Sequence, residues 1–263
     1  MLFFLLLAGG CLLSAWIGLS AGEEADGTAG GRLAIVIDDF GQQRKGVSEM
    51  LHLDCKLTAA VIPFLEYTED DVEDALENGK EVIIHIPMQA TTHDNPRHLG
   101  PRPVTTGMTR EEILSWMKDA LDEIPEAVGA NIHMGTLCST KQDVMSPIFE
   151  FLQEKQMYFL DSKTSSKSIC REVAQTTTVA FYENRVFLEH ERKTKDYVKK
   201  RLRKAMDIAL SEGECIAIGH VGNEGGMITV EAIRELMPEF EENHVSLVFL
   251  SELTPFACRE AGK

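Results

Sequence analysis

Four apolar runs end directly on residues that can bind a metal or move a proton: Ile37-Asp38-Asp39, Ile84-His85, Ile132-His133 and Gly219-His220. A fifth, Phe159-Leu160-Asp161, adds a carboxylate. Two histidines and one aspartate make a common ligand set for a catalytic Zn²⁺ or related divalent ion, with positions left open for water. A further carboxylate and imidazole supply a base and an acid that hold different protonation at one pH. Each residue taken alone has a plainer explanation. A single strand-end histidine is more often structural than a ligand, because ligation needs matching partners. A lone aspartate after a strand usually serves a turn or a cap. The Asp38-Asp39 pair is harder to set aside, since adjacent carboxylates repel unless a cation or proton intervenes. His52, His93, His98 and His244 sit in polar or loop contexts, and Glu189-His190-Glu191 reads as a solvated charged segment.

The elements that must position these residues alternate along the chain. Strand-like runs fall at Leu33–Ile37, Leu57–Ile62, Val82–Ile86, Ala130–His133, Tyr158–Leu160, Thr178–Phe181, Cys215–Ile218 and Ser246–Phe249. Helical patterns lie between them at Lys45–Leu51, Glu69–Asn78, Arg110–Ile124, Lys141–Lys155, Lys195–Glu212 and Thr229–Glu242. Thr109 with Glu112 forms a capping box before the third helix, and Gly79 is a suitable residue just past the second. Such alternation means a parallel sheet covered by helices, and this many strands favours a barrel over an open doubly wound sheet. In a parallel barrel the C-terminal strand ends share one face, so the polar strand ends would converge there.

The 263 residues carry 42 acidic and 26 basic side chains, a formal net charge of −16. That excess excludes nucleic-acid binding by phosphate neutralisation and disfavours an anionic lipid surface as partner. Six cysteines are too few for a disulfide scaffold, and no CxxC spacing occurs. Cys215, inside an apolar run, reads as a small core residue. Residues 1–22 are apolar and uncharged and read as a secretory signal or a membrane anchor. Residues 23–31 form a linker, 32–255 a single barrel domain and 256–263 a tail. Export to the periplasm, the cell envelope or the medium follows, with membrane contact only through residues 1–22 if they are retained.

AIVIDDFG, GKEVIIHIPM, GANIHMGT, FLDSKT and AIGH occur in this order, and together they resemble the divergent polysaccharide deacetylase family, distant relatives of the NodB-homology carbohydrate esterases. The resemblance spans roughly Arg32 to Leu253. It implies an α/β fold, a distorted (β/α) barrel of about seven parallel strands, with a metal-dependent deacetylase-type site. By motif, Asp39, His85 and His133 correspond to the metal ligands, Asp38 to the base, His220 to the general acid and Asp161 to a carboxylate that tunes the site. The implied cofactor is a divalent metal, Zn²⁺ first, with Co²⁺, Ni²⁺ or Mn²⁺ accepted by the same donors. The implied substrate is an N- or O-acetylated envelope glycan. The chain departs from the family's usual form at Gln89, Ile132, Lys163, Glu189 and Val221; the ligand set is intact and its surroundings are altered.

Two other readings remain. The barrel could be an inactive scaffold that binds a glycan or a protein, in which case the pocket should lack an open metal position or be plugged. It could instead be a phosphoesterase, which would want a Lys or Arg cluster beside the metal. The run Gly222 to Gly226 carries no cation and reads as a flexible rim loop, and the basic cluster Lys193–Lys204 reads as a solvated helix face.

Overall fold

The computed structural model of the protein describes residues 30–91 and 99–256. The expected signal segment, most of the linker, His93, His98 and the tail beyond Phe256 lie outside the described residues. Among the described residues nine strands form one sheet: β1 (Arg32–Phe40), β2 (Thr58–Val61), β3 (Glu81–Met88), β4 (Gly129–Met134), β5 (Tyr158–Asp161), β6 (Phe181–Glu183), β7 (Val186–Phe187), β8 (Glu214–His220) and β9 (Ser246–Val248). Every pairing among them is parallel. The helices are α1 (Val47–Leu51), α2 (Thr68–Glu77), α3 (Arg110–Glu123), α4 (Gln142–Lys155), α5 (Cys170–Ala174), α6 (Lys195–Glu212) and α7 (Met227–Glu242).

The strand order β6-β5-β4-β3-β2-β1-β8-β7 explains the curvature. The two ends of this path, β6 and β7, are consecutive in the chain and separated only by Asn184 and Arg185. A sheet whose opposite edges are joined by two residues must curl round on itself. In effect one strand, bent at this junction, bonds β5 on one side and β8 on the other. Asn184 secures the bend: its N–H donates to the Asp161 carbonyl at 3.0 Å, and its Oδ1 accepts from the Val186 N–H at 3.1 Å. With β6 and β7 taken as one, the ring has the expected seven members. The ninth strand lies outside it, pairing with Arg32 to Ala34 of β1 before β2 begins.

Alternation along each strand sorts the core into two layers. Leu33, Ile35 and Ile37 of β1 face the helices, as do Val82, Ile84 and Ile86 of β3. Ala34, Val36, Ala60, Ile83, Leu160, Ile216 and Ile218 point into the barrel, which Leu250 and Leu253 complete. Tyr158 also lies inside, its hydroxyl donating to Glu81 at 2.8 Å. Gly129 on the neighbouring strand has no side chain because the Tyr158 ring occupies that space; a Cβ there would collide with the ring. Gly129→Ala is therefore expected to cost about 1–3 kcal/mol, the usual range for overpacking a core, read as a lowered urea midpoint at unchanged m-value.

The helices follow local chemistry. The Thr109–Glu112 capping box is present in both directions, and Gly79 after α2 takes a φ of 64°. The basic residues of α6 form ion pairs with acidic residues of α7, Lys195 and Lys199 with Glu235 and Arg203 with Glu239, so this cluster is a surface ladder. Cys138, Cys170 and Cys215 are buried. Among the described residues no helix is long and apolar enough to cross a membrane.

Candidate metal and acid–base site

The polar strand ends meet at the C-terminal mouth of the barrel, around a cavity of about 340 Å³, within the range of small-molecule sites. Inward parity brings most of them there. Asp38 continues the inward series of Ala34 and Val36, and His220 continues that of Ile216 and Ile218. These two are register partners on the adjacent strands β1 and β8. His85 follows Ile83 at the same parity, and His133 shares the inward face of β4 with Asn131, two residues earlier.

Asp39 needs a separate device, because alternation would turn it toward the helices. The β1–β2 register slips between Ile37 and Phe40, and Asp39 adopts a left-handed φ of 72°. Aspartate tolerates this conformation better than most residues. The bulge swings its carboxylate back to the cavity, so two consecutive residues serve one site.

Asp39 Oδ1 lies 3.0 Å from His133 Nδ1 and 3.6 Å from His85 Nε2, and those two nitrogens are 3.2 Å apart. At metal–ligand bonds of about 2.1 Å, neighbouring donors of a tetrahedral or octahedral shell stand roughly 3.0–3.4 Å apart. The triplet therefore has the spacing of a coordination shell. Asp39 Oδ1 is also buried without a well-directed hydrogen bond, an orphan acceptor that a cation would satisfy. Although burial alone would raise it, Asp39 is held well below the usual carboxylate range by the two imidazoles. The residues present thus fit a divalent ion, with Asp39, His85 and His133 as its ligands.

Asp38 lies beside this triplet. Its Oδ2 is 3.6 Å from His85 Nε2, and its Oδ1 accepts from the Asn131 amide at 2.8 Å. Burial pushes its pKa up, against the pull of His85, His220 and that amide. His220 sits at the mouth, its Nδ1 3.0 Å from Glu189 Oε2. Glu189 Oε1 also accepts from the His220 backbone N–H at 3.3 Å and from the Thr229 hydroxyl. Burial alone would lower the imidazole, but the Glu189 carboxylate outweighs it and raises His220 to about 10. Phe187 lies almost parallel to the His220 ring, 6.4 Å between centroids, and braces its plane.

Two of these residues have roles that the sequence reading did not assign. Glu189 is no solvated residue but 6 % exposed, although its neighbour His190 is exposed as expected. Asn131, fully buried, was passed over beside Ile132, which faces the helix layer. The signal for Asn131 was its two-residue spacing from His133.

Asp161 is a correction. It has the outward parity of Phe159 and does not line the cavity. Its carboxylate accepts from the Lys163 N–H at 2.8 Å and the Ser168 hydroxyl at 2.7 Å, shaping the loop after β5. The adjacent Ser162 reaches the cavity wall and donates to the Ile132 carbonyl at 2.9 Å. The altered residues Gln89 and Lys163 also serve loops: Gln89 accepts from the Thr106 N–H at 3.0 Å, and Lys163 reaches Glu183 at 3.3 Å. The rim loop Gly222 to Gly226 is tied down by the Gly222 N–H to the Lys45 carbonyl at 2.9 Å and the Gly226 N–H to the His220 carbonyl at 3.1 Å.

The Escherichia coli protein YibQ, uncharacterized, is 32% identical over 190 residues, which cover 72% of this chain and 58% of that protein. The chain thus spans little more than half the length of this relative. Among solved structures, an uncharacterized protein from Agrobacterium tumefaciens superposes with a TM-score of 0.72 at 20% identity, covering 86% of this chain and 89% of the other. A family 4 carbohydrate esterase from Streptomyces lividans, in complex with acetate, gives 0.50 at 11% identity, covering 86% and 98%. These two likenesses establish the curled parallel barrel as a shared fold. A family model described as divergent polysaccharide deacetylase matches residues 35–254, and the chain belongs to that family.

Proposed function

We propose that the protein is a metal-dependent hydrolase that removes acetyl groups from an N-acetylated, or O-acetylated, glycan of the cell envelope. One observation carries this reading. The donor triplet Asp39, His85 and His133 shares a single open cavity with a buried carboxylate, Asp38, and a charged imidazole, His220. The acetate complex of the Streptomyces lividans esterase, on the same fold, supports acetyl transfer to water as the reaction class. An envelope substrate rests on reading residues 1–22 as an export signal or anchor.

A divalent ion held by the triplet would supply Lewis acidity, polarising the acetyl carbonyl and making water easier to deprotonate. The chain's own groups handle the protons. Asp38 takes one from the attacking water as the new C–O bond forms at the carbonyl carbon. Asn131 holds that carboxylate by its Oδ1, leaving Oδ2 as the basic atom. His220, with Nδ1 engaged by Glu189, presents Nε2–H as its remaining donor. It protonates the departing nitrogen as the C–N bond breaks, giving a free amine and acetate. Base and acid are register partners on adjacent strands, so one substrate atom group can meet both.

The alternatives find less support. The cavity is not plugged, which a scaffold that had lost its metal position would allow. Among the described residues that line it there is no Lys or Arg, so a phosphate would find no basic cluster beside the metal ligands. The test is acetate release from a panel of N- and O-acetylated glycans by metal-loaded and chelated protein. Release is expected only with metal, and chelation should lower the rate by about 10³-fold, several kcal/mol of Lewis-acid stabilisation. No release from any glycan would return the scaffold reading.

A further inference from the structure

We infer that Asn131 is a positioning residue that sets the base and a metal ligand together, through the two ends of one amide. The inference rests on the ligand reading above and deepens it. Asn131 is fully buried, and its side chain reaches two strands at once. Its Nδ2 donates to Asp38 Oδ1 at 2.8 Å, and its Oδ1 faces His85 Nδ1 at 2.6 Å.

The orientation of this amide follows from its contacts: the NH₂ end faces Asp38 and donates to its carboxylate. The carbonyl end is then committed to His85, and an acceptor opposite Nδ1 requires that nitrogen to carry the proton. Neutral imidazole has one N–H, so Nε2 is left with its lone pair. Nε2 is the atom that lies 3.6 Å from Asp39 Oδ1 and 3.2 Å from His133 Nδ1. Asn131, held by Asp38 at one end, therefore selects the His85 tautomer at the other, and the tautomer aims the lone pair at the ligand triplet. Orienting a ligating histidine through its second ring nitrogen is a general device, and losing such a partner typically costs 10–100-fold in metal affinity. Here the same partner also fixes the base. Register makes this possible: Asn131 is the direct cross-strand partner of His85 in the β3–β4 ladder.

Two measurements test this, neither of them an activity. The first is the ¹⁵N spectrum of His85 in metal-free wild-type protein at alkaline pH, where Nδ1–H with a bare Nε2 is expected; a proton on Nε2 overturns the inference without any variant. The second is Co²⁺ titration followed by the visible absorption of the bound ion. Asn131→Ala is expected to weaken Co²⁺ binding about 10–100-fold and to redistribute the His85 proton between the two nitrogens. Wild-type affinity together with a wild-type tautomer in that variant overturns the inference. If Asn131→Ala fails to fold, Asn131→Asp, of the same shape, takes its place. It keeps an acceptor for His85 but no donor for Asp38, so Nδ1–H should persist; its loss there overturns the inference. A protein that releases no acetate yet meets these expectations retains the inference, and one that releases acetate but fails them loses it.

Discussion

Asp39→Asn is expected to fold like the wild-type protein and to lose both tightly bound divalent metal and turnover. The choice of substitution follows from the backbone. At φ 72° alanine would be strained, whereas asparagine accepts the left-handed conformation and matches the aspartate in shape. What is removed is the negative charge, and with it the donor that stands 3.0 and 3.6 Å from the two imidazoles. Because the two imidazoles hold Asp39 ionised, the metal-free variant should unfold somewhat below the metal-free wild type at neutral pH, and this difference should vanish as acid protonates Asp39 in the wild type. His85→Ala and His133→Ala remove the other two donors and should have the same result. Activity in all three is expected to fall by at least about 10³-fold, since several kcal/mol of Lewis-acid stabilisation are forfeited. Elemental analysis after dialysis decides the ligand assignment apart from activity. Metal content equal to wild type in all three variants would show that the ion, if bound, sits elsewhere.

How such a site could be read ahead of the fold comes down to parity. Asp38, His85, His133 and His220 were visible as polar residues ending apolar runs, and all four point inward. The same signal misled at Asp161, because ending a strand says nothing about which face the last residue takes. Counting back by twos would have separated them: Asp161 has the parity of Phe159, which packs beneath the helices, while Leu160 and Tyr158 are inside. Asn131, two residues before His133, would have been found by the same count. Asp39 could not have been found so, since its inward turn depends on a register slip between β1 and β2 that involves residues far apart in sequence. Most strand positions were legible because each parallel strand is a short continuous apolar run, but the strand expected at Thr178–Phe181 lies at Phe181–Glu183, and β7 and α5, two and five residues long, are too short to show a period. Overlooking β7 concealed both the closure of the barrel and the burial of Glu189, two residues after β7.

Glu189 governs the second large effect. Glu189→Gln is expected to keep metal and shape while making activity fail at neutral and alkaline pH. With the carboxylate 3.0 Å from Nδ1, His220 is raised to about 10 and stays protonated through the neutral range, ready to donate to the departing nitrogen. Glutamine retains an acceptor for Thr229 and for the His220 N–H but removes the charge, so burial lowers the imidazole against only the weaker pull of Asp39 and Asp38. Near pH 8 the variant's ring is then neutral and cannot act as an acid. Turnover there should fall by about 10²-fold, the lower end of what a general acid contributes, and should recover as the pH is lowered toward 6 and the ring is protonated again. His220→Gln differs: it loses the donor at every pH, so acidification should not restore it, although its metal content is unchanged. The same linkage acts on folding with a definite sign. A histidine whose folded pKa lies above its unfolded one contributes stability that is complete below about 6.5 and is lost as the pH rises through about 10. Urea unfolding should therefore show the wild-type protein losing more stability between pH 6 and pH 10 than Glu189→Gln does. A pH–rate profile of Glu189→Gln superimposable on that of the wild type would mean that the imidazole does not supply the proton. Parallel stability curves would mean that the carboxylate does not hold the charge.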